Sequence, residues 1–269
     1  MLAIAHFVAI TLYVAAAALA ATPFARPATA APLRSVIALL ATGVLVHLGA
    51  LASLAAGTGR LFVTGLGPSL SLAGLVLAAT LLVVEVVARD MSLTLVAAPL
   101  AAIPTVFANL TGFASAAEPG GIQGVWLVSH IALSFIGIAA FATAAAAGLM
   151  YLFERRELKS PRFAAIFGLL PPLATLDRVN HVAALTGWLG LTTGVVLAVS
   201  YSIEYRQMQP AQLAWGIGAW LALSGIALGR VARGWQARRA AIWSSLSFAA
   251  VVGLYVALRV AGPVAGKFH

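Results

Sequence analysis

The chain has 269 residues, 62% hydrophobic and 9% charged, with a net charge of +9 and a mean hydropathy of +1.02. Soluble domains carry roughly 25% charged residues, so this balance excludes one and predicts an all-α integral membrane protein. The lack of cysteine removes disulfides, thiolate metal sites and Cys-attached cofactors, and cations confined to short loops set orientation and imply no nucleic-acid partner.

Eight apolar stretches are long enough to span a bilayer. The first, Leu2–Ala21, lacks the basic flank of a signal peptide and reads as a retained span ended by Pro23 and Pro27. The second, Ser35–Ala56, runs into a turn marked by Gly57, Gly59, Gly65, Gly67 and Pro68. Ser69–Val87 follows, with Glu85 and Arg89 spaced as a snorkelling ion pair at its end. Met91–Ala108 contains Pro99 and Pro104 and is predicted to be kinked or partly broken. Gly124–Leu152 is the longest span, and it ends in aromatics and the cluster Glu154, Arg155, Arg156, Glu157 and Lys159. Between Ser160 and Asn180 the chain is apolar again, predicting a short amphipathic helix on the inner surface ended by Pro171-Pro172. His181–Ser202, Gln212–Val231 and Ile242–Gly262 complete the set. Gly190 with Gly194, and Gly225 with Gly229, have the spacing of close helix contacts. The loop Asn109–Gln123 is placed to fold over the mouth of a site. No long-period repeat or linker divides the chain, so residues 1–269 read as one transmembrane bundle.

Alternate loops hold twelve of the sixteen cations: Arg26, Arg34, Arg89, Arg155, Arg156, Lys159, Arg162, Arg178, Arg230, Arg233, Arg238 and Arg239. The opposite side has Arg60, Arg206 and Lys267, with Arg259 inside the last span. The positive-inside rule therefore puts both termini outside.

A histidine within a membrane span is costly unless partnered, so the imidazoles are the first functional candidates. His47 lies about 14 Å, and His130 about 9 Å, below the outer surface at the helical rise of about 1.5 Å per residue. Two readings stand for this pair. Each ring is either buried against a carbonyl or hydroxyl, or a ligand holding a haem iron between two helices. His6, near the outer end of the first span, is a third imidazole on that side, whereas His181 reads as a capping or interfacial residue and His269 as a frayed end. Arg259, four residues after Tyr255, either snorkels outward or pairs with an anionic group such as a haem propionate. No paired carboxylates, activated nucleophile, HExxH or phosphate-binding glycine loop is present, so an enzyme is not expected.

The segment HIALSFIGIAAFATAAAAGLMYLFERRELK from His130 resembles the helix that opens the core of the cytochrome c assembly family, the CcsA/HemX-like membrane proteins. In order along the chain, GVLVHLGAL around His47, Leu169–Val196, GRVARGWQARRAAIW from Gly229 and the pair Tyr255 and Arg259 are similar to stretches of the HemX-like branch, an assembly-like core of roughly residues 35–262. The resemblance implies a multi-pass protein of the bacterial inner membrane that binds a b-type haem, with His47 and His130 as metal ligands and Arg259 and Tyr255 toward the propionates. It further implies other cytochrome c assembly or membrane-complex subunits as partners. The tryptophan-rich haem-presenting run of the full assembly proteins is absent, and Leu228-Gly229-Arg230 stands where a histidine is common. Ligation of haem to an apocytochrome by this chain alone is therefore not implied. A rival expectation is a cofactor-free structural or regulatory subunit, and a transporter, lacking a midplane acid or ion-site cluster, ranks last.

Overall fold

The computed structural model describes residues 2–25, 33–58, 65–89, 91–113, 121–157, 171–206 and 210–265. They form α1 (Leu2–Ala25), α2 (Leu33–Thr58), α3 (Leu66–Ala88), α4 (Thr94–Thr111), α5 (Gly121–Glu157), α6 (Leu173–Glu204), α7 (Pro210–Val231) and α8 (Ala237–Ala265), with no strand among the described residues. All eight are long and apolar enough to cross a membrane. In hydrocarbon a backbone must satisfy its own polar groups, which is why an apolar chain of this kind folds as helices throughout. The first four spans match the sequence reading within a few residues, whereas α6 starts eight residues before the expected His181. Pro172 accepts backbone hydrogen bonds from Thr175 and Leu176, so the proline pair launches α6. Residues 160–170 of the predicted amphipathic stretch and 114–120 of the predicted covering loop fall outside the described residues, as do Lys267 and His269.

The described residues divide into two compact units, drawn from Met1–Glu118 with Phe153–Leu176 and from Pro119–Leu152 with Asp177–His269. In the first, α1 packs against α2 and α4, and α3 against α4 and α2. Glycine sets these approaches. A Cβ at Gly43 would lie 2.7 Å from the Tyr13 ring, and one at Gly74 would meet Thr105 and the Ala101 carbonyl. A Cβ at Gly67 would overlap the backbone oxygen of Gly112, which no side-chain rotation relieves. Gly67→Ala is therefore expected to destabilise the protein by about 1–3 kcal/mol, measured as a lower thermal midpoint in detergent. The helix α4 continues through Pro99 and Pro104 without a break, contrary to the expectation of a partly broken span. Glu85 also departs from its reading. It is fully buried, and its Oε1 accepts from the Thr94 backbone N–H (2.7 Å) and hydroxyl (2.9 Å), while Arg89 is exposed. A carboxylate at the start of α4 satisfies donors that the first helical turn leaves open, which outweighs a pair with Arg89.

In the second unit the indole N–H groups tie neighbouring helices. Trp126 donates to the Leu197 carbonyl, Trp188 to Ser224, Trp220 to Thr192 and Trp215 to the Val251 carbonyl. An indole has one donor and no other use for it inside an apolar bundle, so each finds an acceptor on the next helix. The core combines Phe141, Leu191, Leu223, Ile226 and small residues such as Ala144 and Ala184. Between α5 and α6, Gly190 lies against Gly137, where an added Cβ would sit 3.0 Å from the Gly137 Cα. The pair Gly225 and Gly229 does not join helices as expected. Among the described residues nothing lies within 4 Å of a Cβ at Gly225, and Gly229 instead makes room for the Trp235 indole, 2.5 Å from such a Cβ.

Candidate functional site

In the first unit, three helices bring His6, Tyr13, His47 and Ser71 together, all at 0% exposure. The His6 Nδ1 is 3.0 Å from the Leu2 carbonyl, and its Nε2 is 2.7 Å from the Ser71 hydroxyl. The same hydroxyl is 2.9 Å from His47 Nε2, and the Tyr13 hydroxyl is 3.2 Å from His47 Nδ1. Burial at 0% exposure favours neutral imidazoles, and for neutral rings donor counting fixes every proton. A carbonyl only accepts, so His6 carries its proton on Nδ1 and must accept at Nε2 from Ser71. A serine hydroxyl has one proton, now used, so Ser71 accepts from His47 Nε2–H. His47 Nδ1 is then bare and accepts from Tyr13. The result is one directional chain, from Tyr13 through His47, Ser71 and His6 to the Leu2 carbonyl, with both imidazoles neutral. The His6 and His47 rings meet edge to face with centroids 4.8 Å apart, and Phe113 covers His6 at 4.6 Å. That contact leaves no slot for a porphyrin between these two rings.

In the second unit His130 is half-buried on α5, and its Nδ1–H donates to the Gly194 carbonyl at 2.8 Å, with the Ser134 hydroxyl 3.4 Å away. Gly194 is the residue that permits this approach, because a Cβ there would lie 2.5 Å from Ser134 Oγ. The Nε2 lone pair meets no partner among the described residues. An imidazole whose Nδ1–H is held by a carbonyl while Nε2 stays bare has the tautomer and fixed orientation of a metal ligand.

His47 and His130 belong to different units, and each is described within its own. Tyr255 is half-buried with its ring 5.3 Å from Trp215, while Arg259 lies on the same helix with its side chain outside the described residues. His181 is over two turns inside α6, so it caps nothing, and its buried Nδ1 has no hydrogen-bond partner among the described residues.

Sequence reasoning missed a second buried network. Arg230, with 8% of its side chain exposed, pairs with the Asp177 carboxylate and donates to Asn180 Oδ1 at 3.2 Å. The Asn180 amide in turn donates to the Ala144 carbonyl (2.6 Å) and Ser244 (2.8 Å), so the four helices of this unit share one polar knot. The available signal was an arginine standing where a histidine was expected. No group of three or more His, Cys, Asp or Glu side chains able to hold a metal ion occurs among the described residues. A haem makes a smaller demand, since the porphyrin supplies the equatorial nitrogens and the protein one or two axial ones.

Comparison with known proteins bears on this arrangement. Over 88 residues the chain is 33% identical to a protein of Azospirillum brasilense described as an uncharacterized 28.8 kDa protein in a nifR3-like 5′ region. That alignment covers 33% of this chain and 32% of the relative, so the chain spans under a third of that protein's length. No solved structure matches. The family described as cytochrome C assembly protein matches from residue 5 to residue 263, nearly the whole chain. With eight membrane-length helices under that match, the chain belongs to the cytochrome c assembly family of multi-pass, haem-handling membrane proteins.

Proposed function

We propose that this protein binds a b-type haem whose iron would be held by His130 and, on the depth and family position of its segment, by His47. Bound haem supplies a redox-active iron, and the protein contributes binding, orientation and exclusion of water. The observation that carries this reading is the His130 ring, held through Nδ1–H by Gly194 with Nε2 bare. His47 fits the same role once it releases one of its two partners, Ser71 or Tyr13. Arg259 and Tyr255 are assigned to the propionate end, where a guanidinium and a phenol suit carboxylates. By the distribution of cations the site faces the outer half of a bacterial inner membrane, with both termini outside.

A specific observation favours the rival reading, a cofactor-free subunit of a larger membrane complex: both nitrogens of His47 are already satisfied within the first unit. The two readings separate on one measurement. Protein purified from haem-replete cells is expected to show a b-type absorption spectrum, whose haem is extracted by acid because no cysteine attaches it. Repeated purification of folded, haem-free protein together with a stable partner would favour the subunit reading.

A further inference from the structure

The Ser71 hydroxyl sits between two imidazoles and can serve only one of them as donor. It donates to His6 Nε2, because His6 Nδ1 is committed to the Leu2 carbonyl, and so it must be an acceptor for His47. With both rings neutral no other arrangement of protons satisfies all four contacts, and in a site at 0% exposure no water replaces a broken one. We propose that Ser71 is a positioning residue that selects the tautomer of His47, keeping the proton on Nε2 and leaving the lone pair on Nδ1 beneath the Tyr13 hydroxyl.

This assignment stands on the hydrogen-bond geometry alone; its consequence rests on the reading of His47 as a haem ligand. While Ser71 holds the ring, Nε2 has no lone pair to offer. Release of Ser71 leaves Nε2–H without an acceptor and removes the preference for that tautomer, since Tyr13 Oη can either donate to Nδ1 or accept from Nδ1–H. One proton leaves Nε2 and one reaches Nδ1, carried by a water molecule admitted on opening, so the ring stays neutral. Nε2 is then bare, and Nδ1–H is held by Tyr13 as His130 Nδ1–H is held by Gly194. His6 acts one step further out, because its fixed tautomer is what spends the Ser71 proton. The protein therefore has one imidazole set in the ligating tautomer and a second held out of it by a removable hydroxyl.

The test uses the full-length protein in detergent with 15N-labelled histidine, the resonances assigned with His6→Gln and His47→Gln. Ring-nitrogen shifts of the wild type are expected to show the proton on Nε2 in His47 and on Nδ1 in His6. Ser71→Thr and Ser71→Val add similar bulk, and both keep the two rings apart, but only threonine keeps the hydroxyl. Ser71→Thr should therefore retain the wild-type tautomers, and Ser71→Val should let the His47 proton distribute between Nε2 and Nδ1. A His47 proton on Nδ1 in the wild type, or identical tautomers in the two variants, overturns the assignment whether or not haem binds. Hemin titration reads the consequence: Ser71→Val should bind about tenfold more tightly than Ser71→Thr, the worth of one buried hydrogen bond no longer broken on ligation. Equal affinities would overturn the restraining role. Failure of all three proteins to take up hemin, with the tautomers as stated, would remove the haem reading and leave the Ser71 assignment in place.

Discussion

His130→Ala is expected to abolish the haem absorption of the purified protein, the largest spectroscopic change any single substitution should produce. The bare Nε2 of His130 is lost outright, and alanine offers no replacement ligand on that face of α5. The supporting contact predicts a graded companion. Gly194→Val adds a side chain where even a Cβ would meet Ser134 Oγ at 2.5 Å, so it pushes the carbonyl that orients the imidazole away from Nδ1. Loss of such an orienting hydrogen bond typically weakens metal binding by about 10–100-fold, so Gly194→Val should bind hemin more weakly by that factor and keep a shifted band. Gly194→Ala should fall between the variant and the wild type. An unchanged spectrum in His130→Ala would assign any bound haem to other residues.

The largest effect on stability is expected at the polar knot of the second unit. Asp177→Ala leaves the Arg230 guanidinium buried beside Asn180 with no countercharge. Breaking a buried pair by removing one partner costs about 3–5 kcal/mol, and the 34% exposure of the Asp177 side chain lowers the expectation to roughly 2–3 kcal/mol. The double variant Asp177→Ala, Arg230→Met removes both charges together and should recover much of the loss. Thermal unfolding followed by tryptophan fluorescence reports this unit directly, because Trp188, Trp215 and Trp220 join its helices. Equal midpoints for wild type and Asp177→Ala would mean that water reaches the arginine.

Hydropathy reveals how deep a residue lies along its helix and says nothing of the direction it faces. The eight spans, the long α5 and the shared side of His6 and His47 were therefore legible, since each depends on counting residues from an end. That His6 and His47 meet through Ser71 was not, because it depends on the rotation of α1, α2 and α3 about their own axes. Glu85 shows the same limit, since its spacing from Arg89 suggested a surface pair while the start of the next helix claimed the carboxylate. Repeated glycines signal close approach without naming the neighbour. Gly190 and Gly194 receive α5, but Gly229 receives an indole from its own turn.

That turn has a consequence for how the chain is made. Gly234 adopts a left-handed conformation, the Trp235 N–H reaches back to the Gly229 carbonyl at 3.0 Å, and the Arg239 guanidinium lies 4.6 Å above the indole. Every one of these interactions is local in sequence, within a segment that begins at Gly229 and ends at Arg239. The last two spans can thus close into a latched helical hairpin as soon as they emerge from the ribosome, without waiting to dock on the earlier helices. Inserted as a pair, they leave the arginine-bearing bend at a water-facing end of the hairpin, where its charges cost least.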